Sequence, residues 1–214
     1  MNEATLQNLL QQYRTPKHVL AHMRKVAAVA LFLGQQLQQN GHDVDLIVVR
    51  QAALLHDILK LCDFPELDLT YFDQDVTAED IEFWSRLMKS CHKDGHVMAA
   101  YNMLVDLGEK ELAIIVRKHG FRSLIEPENR PETWEEKLIY YADKRVKHDQ
   151  VVSAEERLRD GRERYFPDGN VPDHDPHVQK ALSILEQEIC EAAHVKPQEV
   201  NEESVADFLE PQSI

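Results

Sequence analysis

The amino-acid sequence predicts an all-α protein, and two features of its composition support that prediction. Its 214 residues include only seven glycines, which argues against a turn-rich β-sandwich or barrel. Leu, Ala, Glu, Gln, Lys and Arg dominate, and these residues favour helices. The length is enough for one good-sized domain, or for a domain with an appendage.

Apolar residues recur at helical spacing along most of the chain. The predicted helices lie at about residues 6–13, 16–39, 45–61, 77–89, 96–107, 109–118, 133–146, 153–164 and 176–193. Pro16 ends the first of these helices and Asn40-Gly41 closes the second. Asp45 is placed to cap the third helix, which we expect to continue to about Leu61. Residues 62–76 resemble a loop.

The later helices begin and end at recognisable signals. Acidic residues after Thr77 suit the positive end of a helix dipole. Gly95 and Gly108 separate the next two apolar runs. Thr133 and Ser153 each stand three residues before a glutamate, which is the pattern of a capping box.

The order of these elements predicts one main domain over residues 1–165 and a C-terminal helical appendage over residues 166–214. Pro176 suits the first position of the last predicted helix. The stretch that follows this helix is acidic, and we expect it to dock loosely.

Charge and cysteine content restrict the function classes. The formal net charge of -14 is unfavourable for broad binding to nucleic acid or to an anionic membrane surface. The three cysteines are odd in number and far apart, with no CxxC motif, so we expect neither a disulfide framework nor a thiolate zinc site. The polar N-terminus has no signal-peptide core, and the longest apolar stretch is too short to span a bilayer. A reducing cytoplasm is the expected compartment.

His56 and Asp57 stand side by side on a stretch that otherwise reads as a buried apolar helix. Buried polar groups cost free energy unless a partner satisfies them, and an ionised carboxylate costs most. A metal ion is one suitable partner, because imidazole nitrogen and carboxylate oxygen are ordinary ligands for zinc, iron and manganese. The alternative is a buried helix pair with local hydrogen bonds.

Six residues of ligand type fall on separate predicted helices or helix ends: His22, His56, Asp57, His96, His119 and Asp143. Apart from the adjacent pair, the intervals are 34, 39, 23 and 24 residues, which is about one helix plus a turn or a helical hairpin. Successive members can therefore return to one point in a bundle core. His92 competes with His96, and we prefer His96 because it directly precedes the small-residue stretch MAAYNML.

Three segments of the chain resemble motifs of the HD-domain metal-dependent phosphohydrolases. His22 precedes a hydrophobic helix, as the first histidine of that family does. The HD pair appears in AALLHDILK, and Asp143 appears in EEKLIYYADKRV, which is similar to the closing segment of the family. The resemblance covers residues 16–165. It implies an HD-domain helical bundle, here with an additional C-terminal helix and an acidic tail.

The resemblance also implies a ligand set. A first metal ion would be bound by His22, His56, Asp57 and Asp143. Some branches of the family carry two further histidines and bind a second ion. The segments GHVMAAYNML and IIVRKHG are similar to those branches and nominate His96 and His119. By the same analogy, Asp57 would bridge the two ions.

Nitrogen and oxygen ligands suit divalent first-row metals better than Mg, which prefers all-oxygen sites. We therefore expect Fe, Mn, Zn, Co or Ni, with two ions per chain. Such a pair activates a water and stabilises the phosphoryl transition state. Neutral imidazoles leave net positive charge on the cluster, and that charge attracts an anionic phosphate.

Two cationic residues are candidates for contact with substrate. Lys60 follows His56 by four residues, so the two share a helix face. It resembles the lysine of the HDxxK variant of the family, which contacts substrate phosphate or the leaving group. We expect Asp57 and Lys60 to be the catalytic residues. Arg145 is a weaker candidate for substrate binding, and its alternative is a structural ion pair.

The expected function is a metal-dependent phosphohydrolase that cleaves a phosphate ester or anhydride of a small metabolite with metal-activated water. A nucleotide is the expected substrate. Within this class, a dinucleoside polyphosphate hydrolase or a phosphodiesterase with a two-metal site is an alternative. An alternative from another class is a non-catalytic HD-type regulatory module that senses a nucleotide or a metal. A homodimer is the default expectation for the oligomeric state.

Overall fold

The computed structural model describes residues 1–72, 74–91 and 93–209, and over these ranges the fold is all-α, as predicted. The helices are α1 (Glu3–Gln12), α2 (Lys17–Gln39), α3 (Leu46–Leu55), α4 (Ala78–Cys91), α5 (Gly95–Asp106), α6 (Lys110–Arg117), α7 (Trp134–Asp143), α8 (Ala154–Tyr165), α9 (Asp175–Ala193) and α10 (Glu202–Val205). Short 3-10 segments occur at Lys60–Asp63, Leu69–Tyr71, Ser123–Ile125, Pro127–Asn129, Pro197–Glu199 and Ala206–Phe208. The predicted helix boundaries are mostly correct to within a few residues.

A two-stranded antiparallel hairpin follows α7, and the sequence did not predict it. Strand β1 is Val146–Lys147 and strand β2 is Gln150–Val151. His148, in the turn, has a positive φ of 55°. Strands of two residues carry too little alternation to be read from a sequence.

The predicted caps at Asp45 and Thr133 are present and fix where α3 and α7 begin. The Asp45 carboxylate accepts hydrogen bonds from the backbone N–H groups of Ile47 and Val48, at the start of α3. Thr133 and Glu136 form a reciprocal capping box that opens α7. Caps of this kind satisfy the free N–H groups of a first helical turn.

Helix α2 lies at the centre of the molecule, where it packs against α3, α7 and α9. Its residues 26–30 are fully buried, so this part of the helix is surrounded by other elements on all sides. His22 lies in the N-terminal part of the same helix, just before this buried stretch. A central, well-packed helix gives a rigid support for a functional side chain.

The third helix ends earlier than predicted, at Leu55 instead of about Leu61. Beyond it the backbone forms bonds of the i to i+3 type, including Lys60 N–H to Asp57 O at 2.9 Å. The apolar sequence LIVVRQAALLHDILK continues across this change. Periodicity therefore could not show where the α-helix gives way to turns.

Cys62 and Cys91 form a disulfide bond, with their Cα atoms 5.5 Å apart. The prediction that the cysteines would not pair is wrong for these two, and Cys190 is a free buried thiol. The pair was hidden because 29 residues separate its members and neither belongs to a recognisable motif. The bond links the Lys60–Asp63 segment to the end of α4.

The C-terminal segment is docked firmly over residues 194–209, where we expected loose docking. Val200 and Val205 are buried in the same hydrophobic core as α2 and α9. Lys25 on α2 forms an ion pair with Glu202. The end of the predicted acidic tail, residues 210–214, lies outside the described residues, as does His92. Within the described ranges, every helix is too short or too polar to cross a membrane.

Candidate metal centre

The fold brings the six predicted ligand residues together in two groups. One group consists of His22, His56 and Asp143, and the other of Asp57, His96 and His119. Within each group the ligand atoms all lie within 4.8 Å of one another. Four of these side chains are at most 9% exposed, and the other two are at most 12% exposed.

Asp57 lies between the two groups and offers one oxygen to each. Its Oδ2 lies 3.7 Å from His56 Nε2 and 3.9 Å from His22 Nε2. Its Oδ1 lies 2.9 Å from His96 Nε2 and 3.6 Å from His119 Nε2. One carboxylate that faces two ligand groups in this way has the arrangement of a bridging ligand.

His56 and His119 are oriented by the same local device. Each follows the end of a helix, and its Nδ1–H donates to a carbonyl oxygen three residues earlier, Ala53 in α3 and Val116 in α6. These carbonyls belong to last turns, which lack intrahelical donors. The hydrogen bonds fix both rings, so that each Nε2 points into the cluster.

The other two histidines are oriented by other segments. His22 Nδ1–H donates to the carbonyl of His148, in the turn of the hairpin, over 2.7 Å. His96 Nδ1–H donates to the carboxylate of Asp63. Ring hydrogen bonds of this kind fix the tautomer and orientation of metal-binding histidines in general.

The donor set of this site fits a cation. Because all four Nδ1 atoms donate, the Nε2 lone pairs face the cluster and one another. His96 Nε2 and His119 Nε2, for example, are only 3.1 Å apart. His56 Nε2 and Asp57 Oδ1 are buried without a hydrogen-bond partner. Buried polar atoms rarely lack a partner, and divalent ions at these positions would satisfy both of them.

Helix ends add to the negative potential of the cluster. Helices α3, α6 and α7 all end beside it, at Leu55, Arg117 and Asp143. The C-terminus of a helix carries about half a negative charge, which favours a cation nearby. The backbone therefore supports the same ligand chemistry as the side chains.

Protonation also suits metal binding. Burial, together with the neighbouring imidazoles, lowers the pKa of His119 to about 4, so this ring is neutral at pH 7. Burial acts to raise the pKa of Asp57, but the charges around it, first of all the Lys60 ammonium, outweigh burial and hold the pKa well below its usual range. A neutral imidazole and an ionised carboxylate are the forms that bind metal ions.

Lys144 is a partner of the cluster that the sequence did not reveal. It is buried, and its Nζ forms an ion pair with Asp143 Oδ2 and lies 3.4 Å from the carbonyl of His119. Asp143 Oδ1 faces His22 at 3.1 Å, so the two oxygens of this carboxylate have different partners. Lys144 thereby orients Asp143 toward the first group.

Lys60 reaches the cluster, as predicted. It does so from the 3-10 segment that follows α3 and not from a helix face shared with His56. Its Nζ lies 3.7 Å from Asp57 Oδ1 and 3.5 Å from Asp63 Oδ2. The Lys60 side chain is 25% exposed and that of Asp63 is 32% exposed, more than any of the six ligand side chains. The cluster is thus accessible from the side of Lys60 and Asp63.

Arg145 does not join the cluster. Its guanidinium donates to the carbonyls of Val152, Pro197 and Val200 and to the hydroxyl of Tyr141. These bonds hold the C-terminal segment against α7. The contacts of Arg145 therefore favour the structural role that we gave as the alternative to substrate binding.

Comparison with known proteins agrees with the geometry. The family model described as HD domain matches residues 19–146, a range that contains all six candidate ligand residues. Searches among curated proteins and among solved structures found no match. The HD domain family consists mostly of metal-dependent hydrolases. With the match extending over more than half of its length, this chain belongs to the HD domain family.

Proposed function

We propose that the protein is a phosphohydrolase that holds two divalent first-row metal ions and cleaves a small phosphorylated metabolite. The observation that carries the proposal is the placement of Asp57, whose two oxygens face two separate groups of imidazole ligands. Membership of a family of mostly metal-dependent hydrolases supports the same conclusion. When bound, the ions would act as Lewis acids on a phosphoryl oxygen and would activate a water.

The protein's own residues set the charge that a substrate meets. The six ligands contribute only two negative charges, from Asp57 and Asp143, because neutral imidazoles carry none. Two divalent ions therefore leave the cluster net positive. Lys60 adds a cation on the accessible side, where it can contact an anionic phosphate. A phosphate group is the ligand that fits this charge distribution.

The proposed substrate class is a nucleotide, and this part of the proposal rests on the family. HD-domain enzymes with six ligands of this kind include hydrolases of dinucleoside polyphosphates and of phosphodiesters. The partly exposed position of Lys60 beside the cluster is compatible with monoester, diester or anhydride substrates.

The test measures metal content and phosphate release together. The protein is reconstituted with Mn, Co or Fe, and assayed against nucleotides, dinucleotides and simple phosphoesters. Asp57→Ala removes the bridging carboxylate, and Asp207→Ala removes an exposed carboxylate far along the chain as a matched control. We expect the wild type and the Asp207→Ala control to bind two ions and to turn over substrate. We expect Asp57→Ala to do neither.

Three results would contradict the proposal. Wild-type protein that binds no ion under metal-replete, anaerobic conditions would exclude a metal-dependent reaction. Protein that binds two ions, and binds a nucleotide tightly without turning it over, would instead favour a regulatory module that senses the nucleotide. Equal activity of the wild type and Asp57→Ala would also exclude the assigned site.

A further inference from the structure

We propose that Asp63 is a positioning residue for the half of the cluster formed by Asp57, His96 and His119. The carboxylate of Asp63 holds the His96 ring, caps helix α5 and pairs with Lys60. This inference rests on the proposed two-metal site. Asp63 lies in the stretch that the sequence predicts to be a loop, and the family motifs quoted above do not include it.

Asp63 contacts His96 at two points. Its Oδ1 accepts from the backbone N–H of His96 at 2.9 Å, and its Oδ2 accepts from the ring Nδ1–H. A contact to the backbone alone would leave the ring free to rotate, and a contact to the ring alone would leave the helix free to shift. The two contacts together direct His96 Nε2 toward Asp57 Oδ1.

Helix α5 depends on Asp63 for its N-terminal cap. The residue at the usual cap position, Asp94, makes no capping hydrogen bond with its side chain. Asp63 supplies the missing acceptor from a different segment. Its negative charge also offsets the positive end of the α5 dipole, which would otherwise disfavour a cation beside His96.

His96 differs in this respect from the other three histidines of the cluster. Their Nδ1 atoms donate to backbone carbonyls, which no side-chain substitution removes. The Nδ1 of His96 donates to a carboxylate, which also makes the imidazole a stronger electron donor to a metal ion. One substitution at Asp63 should therefore loosen one half of the cluster selectively.

The test uses Asp63→Asn, which keeps the shape of the side chain but loses its charge. We expect binding of the second ion to weaken by about 10- to 100-fold, which is the usual effect of losing such a partner. The first ion should remain, because His22, His56 and Asp143 make no contact with Asp63. Titration with Mn(II), followed by electron paramagnetic resonance, distinguishes a coupled pair of ions from a single ion.

Asp68→Asn is the matched control. Asp68 lies in the same predicted loop, and its carboxylate is a cap as well. It accepts from Thr70 N–H at 2.9 Å and so caps the 3-10 segment Leu69–Tyr71. It makes no contact with the cluster. We expect Asp68→Asn to bind two coupled ions like the wild type. If Asp63→Asn does not fold, Asp63→Ser serves in its place, because its side chain stays polar but is too short to hold the His96 ring.

The outcomes separate this inference from the proposed function. A wild-type protein with fewer than two ions would overturn the two-metal proposal and the role of Asp63 with it. A wild-type protein with two ions, and an Asp63→Asn variant that binds both with unchanged affinity, would overturn only the role of Asp63. Loss of both ions from a folded Asp63→Asn variant would also contradict it, because the effect would not be confined to one half.

Discussion

At the scale of single residues, the two halves of the cluster share only one side chain, Asp57. Each half has its own histidines, and each ring is oriented by its own partner. The loss of one histidine should therefore affect one half much more than the other. This independence is a property of the orientation of the rings, and it can be tested without an assay of turnover.

We predict that His22→Ala and His96→Ala each retain one ion, at different positions. His22→Ala keeps Asp57, His96 and His119, whereas His96→Ala keeps His22, His56 and Asp143 with Asp57. Metal analysis after gel filtration gives the number of ions per chain. A variant that loses both ions, while it stays folded by circular dichroism, would show that the halves are not independent.

A second prediction at this scale concerns Lys60. Lys60→Met should leave the metal content unchanged and lower kcat/KM, because Lys60 is not a ligand but lies 3.7 Å from the bridging carboxylate. Removal of one group that stabilises transition-state charge typically costs about 100- to 1000-fold. Steady-state kinetics on the substrate found in the panel measures the loss. Lys180→Met, on an exposed face of α9, is the control and should be as active as wild type.

The sequence predicted which residues meet in the cluster more completely than it predicted their partners. The six candidate ligand residues could be selected because their types and intervals permitted a convergent site and because the segments around them resemble motifs of the HD-domain family. Asp63 could not be, because a contact between a loop carboxylate and a distant helix start leaves no periodic signal. Lys144 could not be, because it follows the last residue of α7 and the sequence does not show where its side chain points. Arg145, the weaker candidate for substrate binding, instead donates to the carbonyls of Val152, Pro197 and Val200. The sequence could not show this, since α7 ends at Asp143 and the direction of the next side chains cannot be read from helical spacing.

At the scale of elements, the Lys60–Asp63 segment is held in place by covalent and ionic links. The disulfide at Cys62 connects it to the end of α4, and Asp63 connects it to the start of α5. The segment therefore carries Lys60 on a support that is fixed at both neighbouring helices. A site residue on a short 3-10 segment needs such links, because the segment has few hydrogen bonds of its own.

We predict that removal of the disulfide destabilises the protein. A closed loop of 29 residues corresponds to about 3 to 4 kcal/mol of unfolding free energy, by the loss of chain entropy in the unfolded state. The double variant Cys62→Ala with Cys91→Ala should lose this amount in urea unfolding under non-reducing conditions. Reductant should lower the stability of the wild type to a similar level and leave the double variant unchanged. Three free thiols per chain in unreduced wild type would contradict the prediction.

Arg145 gives a prediction for the C-terminal segment. Arg145→Met leaves the buried carbonyl of Val200 without its charged donor, and the carbonyl of Pro197 loses the same guanidinium. The expected cost is about 3 kcal/mol of unfolding free energy, from unsatisfied buried polar groups. Limited proteolysis should then cut within residues 194–209 sooner than in wild type. Unchanged stability combined with a large loss of kcat/KM would instead support the substrate-binding role.

The elements that the sequence missed share one physical cause. The C-terminal segment was expected to be loose because its composition is acidic, yet two apolar anchors, Val200 and Val205, decide its position. The hairpin after α7 is set by a turn and by tertiary contacts instead of by strand propensity. The early end of α3 lies inside a continuous apolar run. In each case, a few long-range contacts outweighed the local pattern.

At the scale of the whole molecule, the folded core extends beyond the family match. The match ends at residue 146, whereas the core includes Leu182, Ile189 and Val205. These residues pack with the same cluster that contains α2. The predicted boundary between residues 165 and 166 stays a proposal, but α9 contributes apolar side chains to the core that supports the candidate metal centre.

The metal centre itself should stabilise this whole assembly. Its ligands come from positions as far apart as residues 22 and 143, so two ions would join helix α2, the ends of α3, α6 and α7, and the start of α5. An ion that binds only the folded state adds about 2.7 kcal/mol when its free concentration is 100 times its dissociation constant. Thermal unfolding should therefore shift upward in saturating Mn(II) and downward in chelator. The Asp57→Ala variant should show little of this shift, because it lacks an oxygen ligand in both halves. A metal-dependent shift of the same size in that variant would mean that the ions stabilise the protein from somewhere else.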